Sequence, residues 1–167
     1  MLRAMNSINH VNLIFFLMFI CVTLYGAVAV SADDNEALNF SGFIKDLVDT
    51  AKIDKKGFPC VVSGDEIAKN LIHYNWRVID LEHDSEKYSG CKAIYISKSQ
   101  EKKLRTELSK LSANKVLTIA TFDGFVDMGG MIQIGVGRRN FELTLDTRAV
   151  RDIGIRLSPL AMSLVIN

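Results

Sequence analysis

The stretch 116–146 decides how the rest of the chain is read: Val116-Leu-Thr-Ile-Ala120, Thr121-Phe-Asp-Gly-Phe-Val-Asp-Met-Gly-Gly130, Met131-Ile-Gln-Ile-Gly-Val136, Gly137-Arg-Arg-Asn140, Phe141-Glu-Leu-Thr-Leu-Asp146. Val116–Ala120 is a short apolar run, the pattern of a strand buried on both faces. In Met131–Val136, Ile132, Ile134 and Val136 alternate with Met131, Gln133 and Gly135. In Phe141–Asp146, Phe141, Leu143 and Leu145 alternate with Glu142, Thr144 and Asp146, a strand period again. Gly137–Asn140 is a polar joint, so these two runs are expected to form a hairpin. Between strand and hairpin lies the glycine-rich loop Thr121–Gly130, with Asp123, Asp127, Phe122 and Phe125, where a partner or ligand is expected to be met.

Upstream, Gln100–Ser112 predicts a helix with a Leu104, Leu108, Leu111 stripe and a charged remainder. Ala93–Ser97, Trp76–Leu81 and Phe58–Val62 read as strands, with Pro59 tolerable at the start of the last. Ser63-Gly64-Asp65 opens a short helix burying Ile67, Ala68, Leu71 and Ile72. Asp33–Lys52 predicts an earlier helix through Ala37, Phe40, Ile44, Leu47, Val48 and Ala51. Downstream, Asp146–Ile153 is expected as a helix closed by Gly154. Ser158-Pro159 should start a final helix through Leu160, Leu164 and Val165. Alternating strands and helices predict an α/β three-layer sandwich. Its sheet is mostly parallel and five- to six-stranded, with the antiparallel hairpin at one edge. A 2-1-3 strand order would make the first and third strands neighbours.

The start of the chain is not domain material. Arg3 is the only charged residue before Asp33, and Leu13–Ala29 is almost wholly apolar, ahead of Val30-Ser31-Ala32. That is the pattern of a secretory signal peptide, residues 1–32, with an uncleaved anchor as the rival. Residues 33–167 would then be a single domain. Removing 1–32 takes away Arg3 and no acid, which leaves acidic and basic residues equal in number. Nothing in that balance selects nucleic acid. Cys60 and Cys91 remain, an even count in an oxidising compartment, and a disulfide between them is expected. Strands about 4.8 Å apart suit the Cα separation such a bond needs, roughly 4.4–6.8 Å. A plain structural bridge is preferred to a redox switch.

Phe122, Phe125, Gly129-Gly130-Met131-Ile132 and Phe141-Glu142-Leu143, in that order, resemble the signature of the YfiR family. The resemblance runs from about Phe58 to Ile166 and takes in Cys60-Val61-Val62-Ser63-Gly64-Asp65 and Ser89-Gly90-Cys91 through Ile94, Ile96 and Ser97. It implies a small periplasmic protein that restrains a membrane-bound diguanylate cyclase, in c-di-GMP and biofilm control. An outer-membrane partner would relieve that restraint. It also implies a Cys60–Cys91 pairing and, in many members, a homodimer. The family's aromatic-Trp-Pro-like junction after the first helix is replaced here by Ala51-Lys52-Ile53-Asp54-Lys55-Lys56-Gly57.

Other chemistries fit poorly. Asp123 and Asp127 could pair as acid and base, but aspartate on a glycine-rich loop more often forms turns. His73 and His83 show no zinc spacing, and no metal or cofactor is expected. Gly129-Gly130 and Gly135-x-Gly137 match no phosphate-loop pattern. No nucleophile–base pair stands out, so the chain is not read as an enzyme. The favoured reading is a regulator that binds a membrane receptor through Phe122, Asp123, Phe125, Asp127, Gly129, Gly130 and Met131. The alternative is a periplasmic small-molecule-binding module using Ser63, Gly64, Asp65, Ser97 and Ser99 at the carboxyl ends of the strands.

Overall fold

Helix α1 (Ala32–Thr50) begins the computed structural model, which describes residues 32–81, 87–137 and 141–166. The expected leader thus lies outside the described residues except for Ala32. Along α1, Ala37, Phe40, Ile44, Leu47 and Val48 are buried, the spacing of one helical face. There follow β1 (Lys52–Ile53), β2 (Phe58–Val62), α2 (Glu66–His73), β3 (Arg77–Ile79) and a 3₁₀ turn into β4 (Cys91–Ile96). A second 3₁₀ turn leads into α3 (Leu104–Ala113), and β5 (Leu117–Ala120), β6 (Ile132–Val136) and β7 (Phe141–Leu145) complete the main sheet. Last come α4 (Thr147–Asp152), β8 (Ile155–Arg156) and α5 (Pro159–Met162).

The six-stranded sheet has the order β3-β2-β4-β5-β6-β7. Every pairing is parallel except β6 with β7, whose register runs from Ile132↔Leu145 to Val136↔Phe141. The α/β sandwich with an antiparallel edge hairpin is therefore the observed fold. From β2 the chain steps outward to β3, then returns past β2 to β4. Right-handed crossovers in opposite directions place their connections on opposite faces. Accordingly α2 packs with α1 over one face, around Val61, Ala93, Tyr95 and Ile119. The α3 stripe, Leu104, Leu108 and Leu111, packs over the other with Cys60, Ile94 and Ala120.

Several expectations change in detail. The strand expected at Trp76–Leu81 is only Arg77–Ile79, and Ile72 on α2 is exposed. The final helix was expected through Leu164 and Val165, but it stops at Met162. Residues beyond it pair instead with the outer edge of β7: Leu143 N–H donates to Leu164 O at 2.8 Å and Ile166 N–H to Leu143 O at 2.9 Å. An unpaired edge would leave backbone donors and acceptors open, and this pairing removes that liability. The two-residue strands β1 and β8, which pair antiparallel, were not expected. They tie Lys52-Ile53, after α1, to Ile155-Arg156.

Cys60 and Cys91 are bonded, with Cα atoms 5.8 Å apart. The register of β2 against β4 shifts between Phe58 and Pro59, so that Phe58 faces Cys91 while Cys60 faces Ile94. Both sulfurs are buried in the core under α3. The bridge closes a separation of 31 residues, for which chain entropy gives roughly 3–4 kcal/mol. Replacing both cysteines by alanine should lower urea-measured stability by about that amount. A loss below about 1 kcal/mol would show that the bridge is not a principal constraint on the unfolded chain.

Candidate functional site

The strand order reverses between β2 and β4, and the carboxyl ends of these strands form the switch point where open α/β sheets usually hold a ligand crevice. Ser63-Gly64-Asp65 leave β2 there and Ser97–Ser99 leave β4, so all five residues of the small-molecule reading come together. Ser97 Oγ and Ser99 Oγ are hydrogen-bonded at 2.8 Å, and Ser97 Oγ lies 3.5 Å from Ser63 O. A Cβ on Gly64 would collide with both hydroxyl oxygens. Glycine is needed there because the two loops touch. Asp65 caps α2, its Oδ1 accepting from Ala68 N–H at 2.8 Å.

Tyr95 ties this crevice to the next strand. Its hydroxyl donates to Asp65 Oδ2 at 2.8 Å and lies 3.2 Å from Thr121 Oγ1, where the long loop leaves β5. Burial, reinforced by the Asp65 carboxylate, pushes the Tyr95 phenol far above its ordinary pKa, so it stays a proton donor. Both Asp65 oxygens are thereby engaged within the protein, and the serine hydroxyls satisfy one another. This arrangement holds loops in place. It presents no activated nucleophile.

The Thr121–Met131 loop carries the crossover from β5 to parallel β6, a task usually given to a helix. It therefore has to cover the sheet with its own side chains. Phe122 and Phe125 are buried against the α3 side of the core and meet edge-to-face, with centroids 5.4 Å apart. Met131 is buried on the opposite face. All three side chains are thus buried in the core rather than exposed on the loop's surface. Gly130 is also buried, and a Cβ there would strike the Phe125 ring. Of the seven residues expected at the contact surface, Asp123, Asp127 and Gly129 are exposed.

Three internal ties fix the loop. Phe125 N–H donates to Gln133 Oε1 at 3.1 Å, Gly130 N–H to Phe125 O at 3.0 Å, and Met131 N–H to Thr118 Oγ1 at 3.0 Å. Gln133 and Thr118 were not singled out from the sequence. The available signal was a polar residue within each of two otherwise apolar strands. Asp123 and Asp127 share no common partner among the described residues, and Gln133 Nε2 is 3.5 Å from Asp123 Oδ1. His83 lies outside the described residues. Among those described, no cluster of three metal-capable side chains occurs.

Two variants separate these roles. Phe125→Ala should cost about 3–5 kcal/mol, the scale of an emptied aromatic site, and should release the loop to proteolysis. Tyr95→Phe should cost about 1–3 kcal/mol by stranding the Asp65 oxygen while leaving the loop protected. Equal small losses in calorimetry would contradict the assignment of Phe125 as the loop's anchor.

The fold has solved relatives at low identity. A conserved domain protein of Vibrio cholerae O1 biovar El Tor superposes with a TM-score of 0.58 at 9% identity, over 77% of this chain and 58% of that one. An ABC domain in complex with L-Trp from Streptococcus pneumonia superposes with a TM-score of 0.53 at 11% identity, over 78% of this chain and 60% of that one. The chain thus spans about three fifths of each structure, and at these identities the likeness is one of fold. No curated protein matches. A family model described as YfiR/HmsC-like matches residues 47–164. That span takes in the disulfide, the crevice and the whole crossover loop, and the chain belongs to the YfiR/HmsC-like family.

Proposed function

We propose that this protein is a secreted, non-enzymatic regulator that binds the periplasmic part of a membrane-bound diguanylate cyclase and holds it inactive. What carries the reading is family membership over residues 47–164. The family is one of periplasmic regulators. Among the described residues no helix is long and apolar enough to cross a membrane. Inhibition would be differential binding: the regulator favours the receptor's inactive state and shifts the balance by its affinity ratio for the two states.

The contact surface would be the exposed crest of the crossover loop, Asp123, Asp127 and Gly129. Phe122, Phe125 and Met131 would hold it from below. Rigid presentation is what a binding loop needs, because ordering a mobile loop on contact costs affinity. An outer-membrane protein competing for this crest would relieve inhibition. A second reading, a small-molecule-binding module, is favoured by the convergence of Ser63, Gly64, Asp65, Ser97 and Ser99. A metabolite that stabilises the protein thermally, and loses that effect in Gly64→Ala, would support it.

The first reading is tested by capture from solubilised membranes, with bound proteins identified by mass spectrometry. A diguanylate cyclase should be enriched by the wild-type protein. Asp123→Lys with Asp127→Lys should lower that enrichment about tenfold or more, through loss of charge complementarity, with the melting temperature unchanged. Equal capture by the double variant would remove the loop crest from the interface. Absence of any membrane protein would reject the regulator reading.

A further inference from the structure

At the opposite end of the strands from the crevice lies a cleft of about 450 Å³, within the range of small-molecule sites. It is bounded by Asp54 and Lys55 ahead of β2, by Asn114 and Lys115 ahead of β5, and by Arg151 to Gly154 at the end of α4. We propose that this cleft binds one small anion, a carboxylate or a phosphate monoester, through Lys55, Lys115 and Arg151. The inference stands apart from the regulator reading and uses none of its residues.

Three observations carry it. Lys55 Nζ is half-buried and donates to Asn114 O at 2.7 Å and Tyr88 O at 3.2 Å. An ammonium has three protons, so among the described residues one remains without a protein acceptor. Burial lowers the Lys55 pKa, so an anion in the cleft would favour its charged form. Lys115 occupies the left-handed position that ends α3, with φ +55°, Lys115 N–H on Ser112 O at 2.9 Å and Val116 N–H on Leu111 O at 3.0 Å. Glycine fills such a position without backbone cost. Lysine there accepts that cost and places an ammonium-bearing side chain on the cleft wall.

The charges are also unbalanced. Among the described residues neither Lys115 nor Arg151 has an ion-pair partner, whereas Asp152 is met by Arg148 at 3.8 Å. The two wall carboxylates, Asp54 and Asp152, oppose a polyanion and confine the ligand to a small one. Gly154 keeps the wall low: a Cβ there would lie 3.1 Å from Asp54 Oδ2.

The test is isothermal titration of protein purified after expression of the full chain, with inorganic phosphate and, separately, with succinate. Saturable one-site binding of either is expected at millimolar concentrations or below. Phosphate alone would assign a phosphate monoester, succinate alone a carboxylate, and both a general anion site. Lys115→Gly and Arg151→Gln should each weaken binding about tenfold, the scale of one lost charge-assisted hydrogen bond. Lys115→Gly removes the left-handed cost, so its melting temperature should be unchanged or higher, separating lost binding from lost folding. Binding of neither ion, or unaltered binding in both variants, would overturn the site.

Discussion

The structure depends on one piece of packing, the Phe125 ring beneath Gly130. A parallel connection has to cross a face of the sheet and bury apolar surface there. Between β5 and β6 no helix does so. Phe122 and Phe125 supply the buried surface, and the close approach of Gly130 lets the chain turn over the ring. The hydrogen bonds from Phe125 N–H to Gln133 and from Met131 N–H to Thr118 then fix where β6 enters the sheet. Since, among the described residues, β7 pairs only with β6 and the C-terminal segment, the far half of the sheet inherits its position from this loop.

The near half is organised by the reversal of strand order. It puts α2 and α3 on opposite faces and brings the ends of β2, β4 and β5 together, where Tyr95 joins Asp65 to Thr121. A chain of side-chain contacts thus runs from the cap of α2 to the start of the crossover loop. Away from that end, the Cys60–Cys91 bond joins the middle of β2 to the start of β4. The loop crest is therefore carried on a sheet whose strands are cross-tied by the bond and by Tyr95. That suits a protein whose proposed task is to present a fixed surface.

Much of this was legible in the sequence, for stated reasons. The leucine stripe of α3, the apolar β5 and the alternating β6 and β7 each carry a period that survives without tertiary knowledge. The meeting of Ser63–Asp65 with Ser97 and Ser99 followed from strand order alone. What could not be read was decided by contacts distant in sequence. Phe125 is identical in sequence whether it faces solvent or core, and the parallel register of β6 chooses core. The helix start at Ser158-Pro159 is locally sound, yet the open edge of β7 takes Leu164 to Ile166 for pairing. Strands as short as β1 and β8 have no period to detect. Lys115 offers no sequence cue to its left-handed backbone, which arises from how α3 joins β5.

In the function proposed here, the protein works by binding. Its fixed crest would act on a receptor with two states, and the size of the effect would be set by the difference in affinity for them. The most direct test is cyclic-di-GMP synthesis by membranes containing the captured cyclase, measured as the purified protein is added. Inhibition that saturates with the regulator, and is lost with Asp123→Lys and Asp127→Lys, is the predicted result. Unchanged synthesis at saturating bound regulator would contradict the account, because binding without a change in output cannot be the restraint proposed.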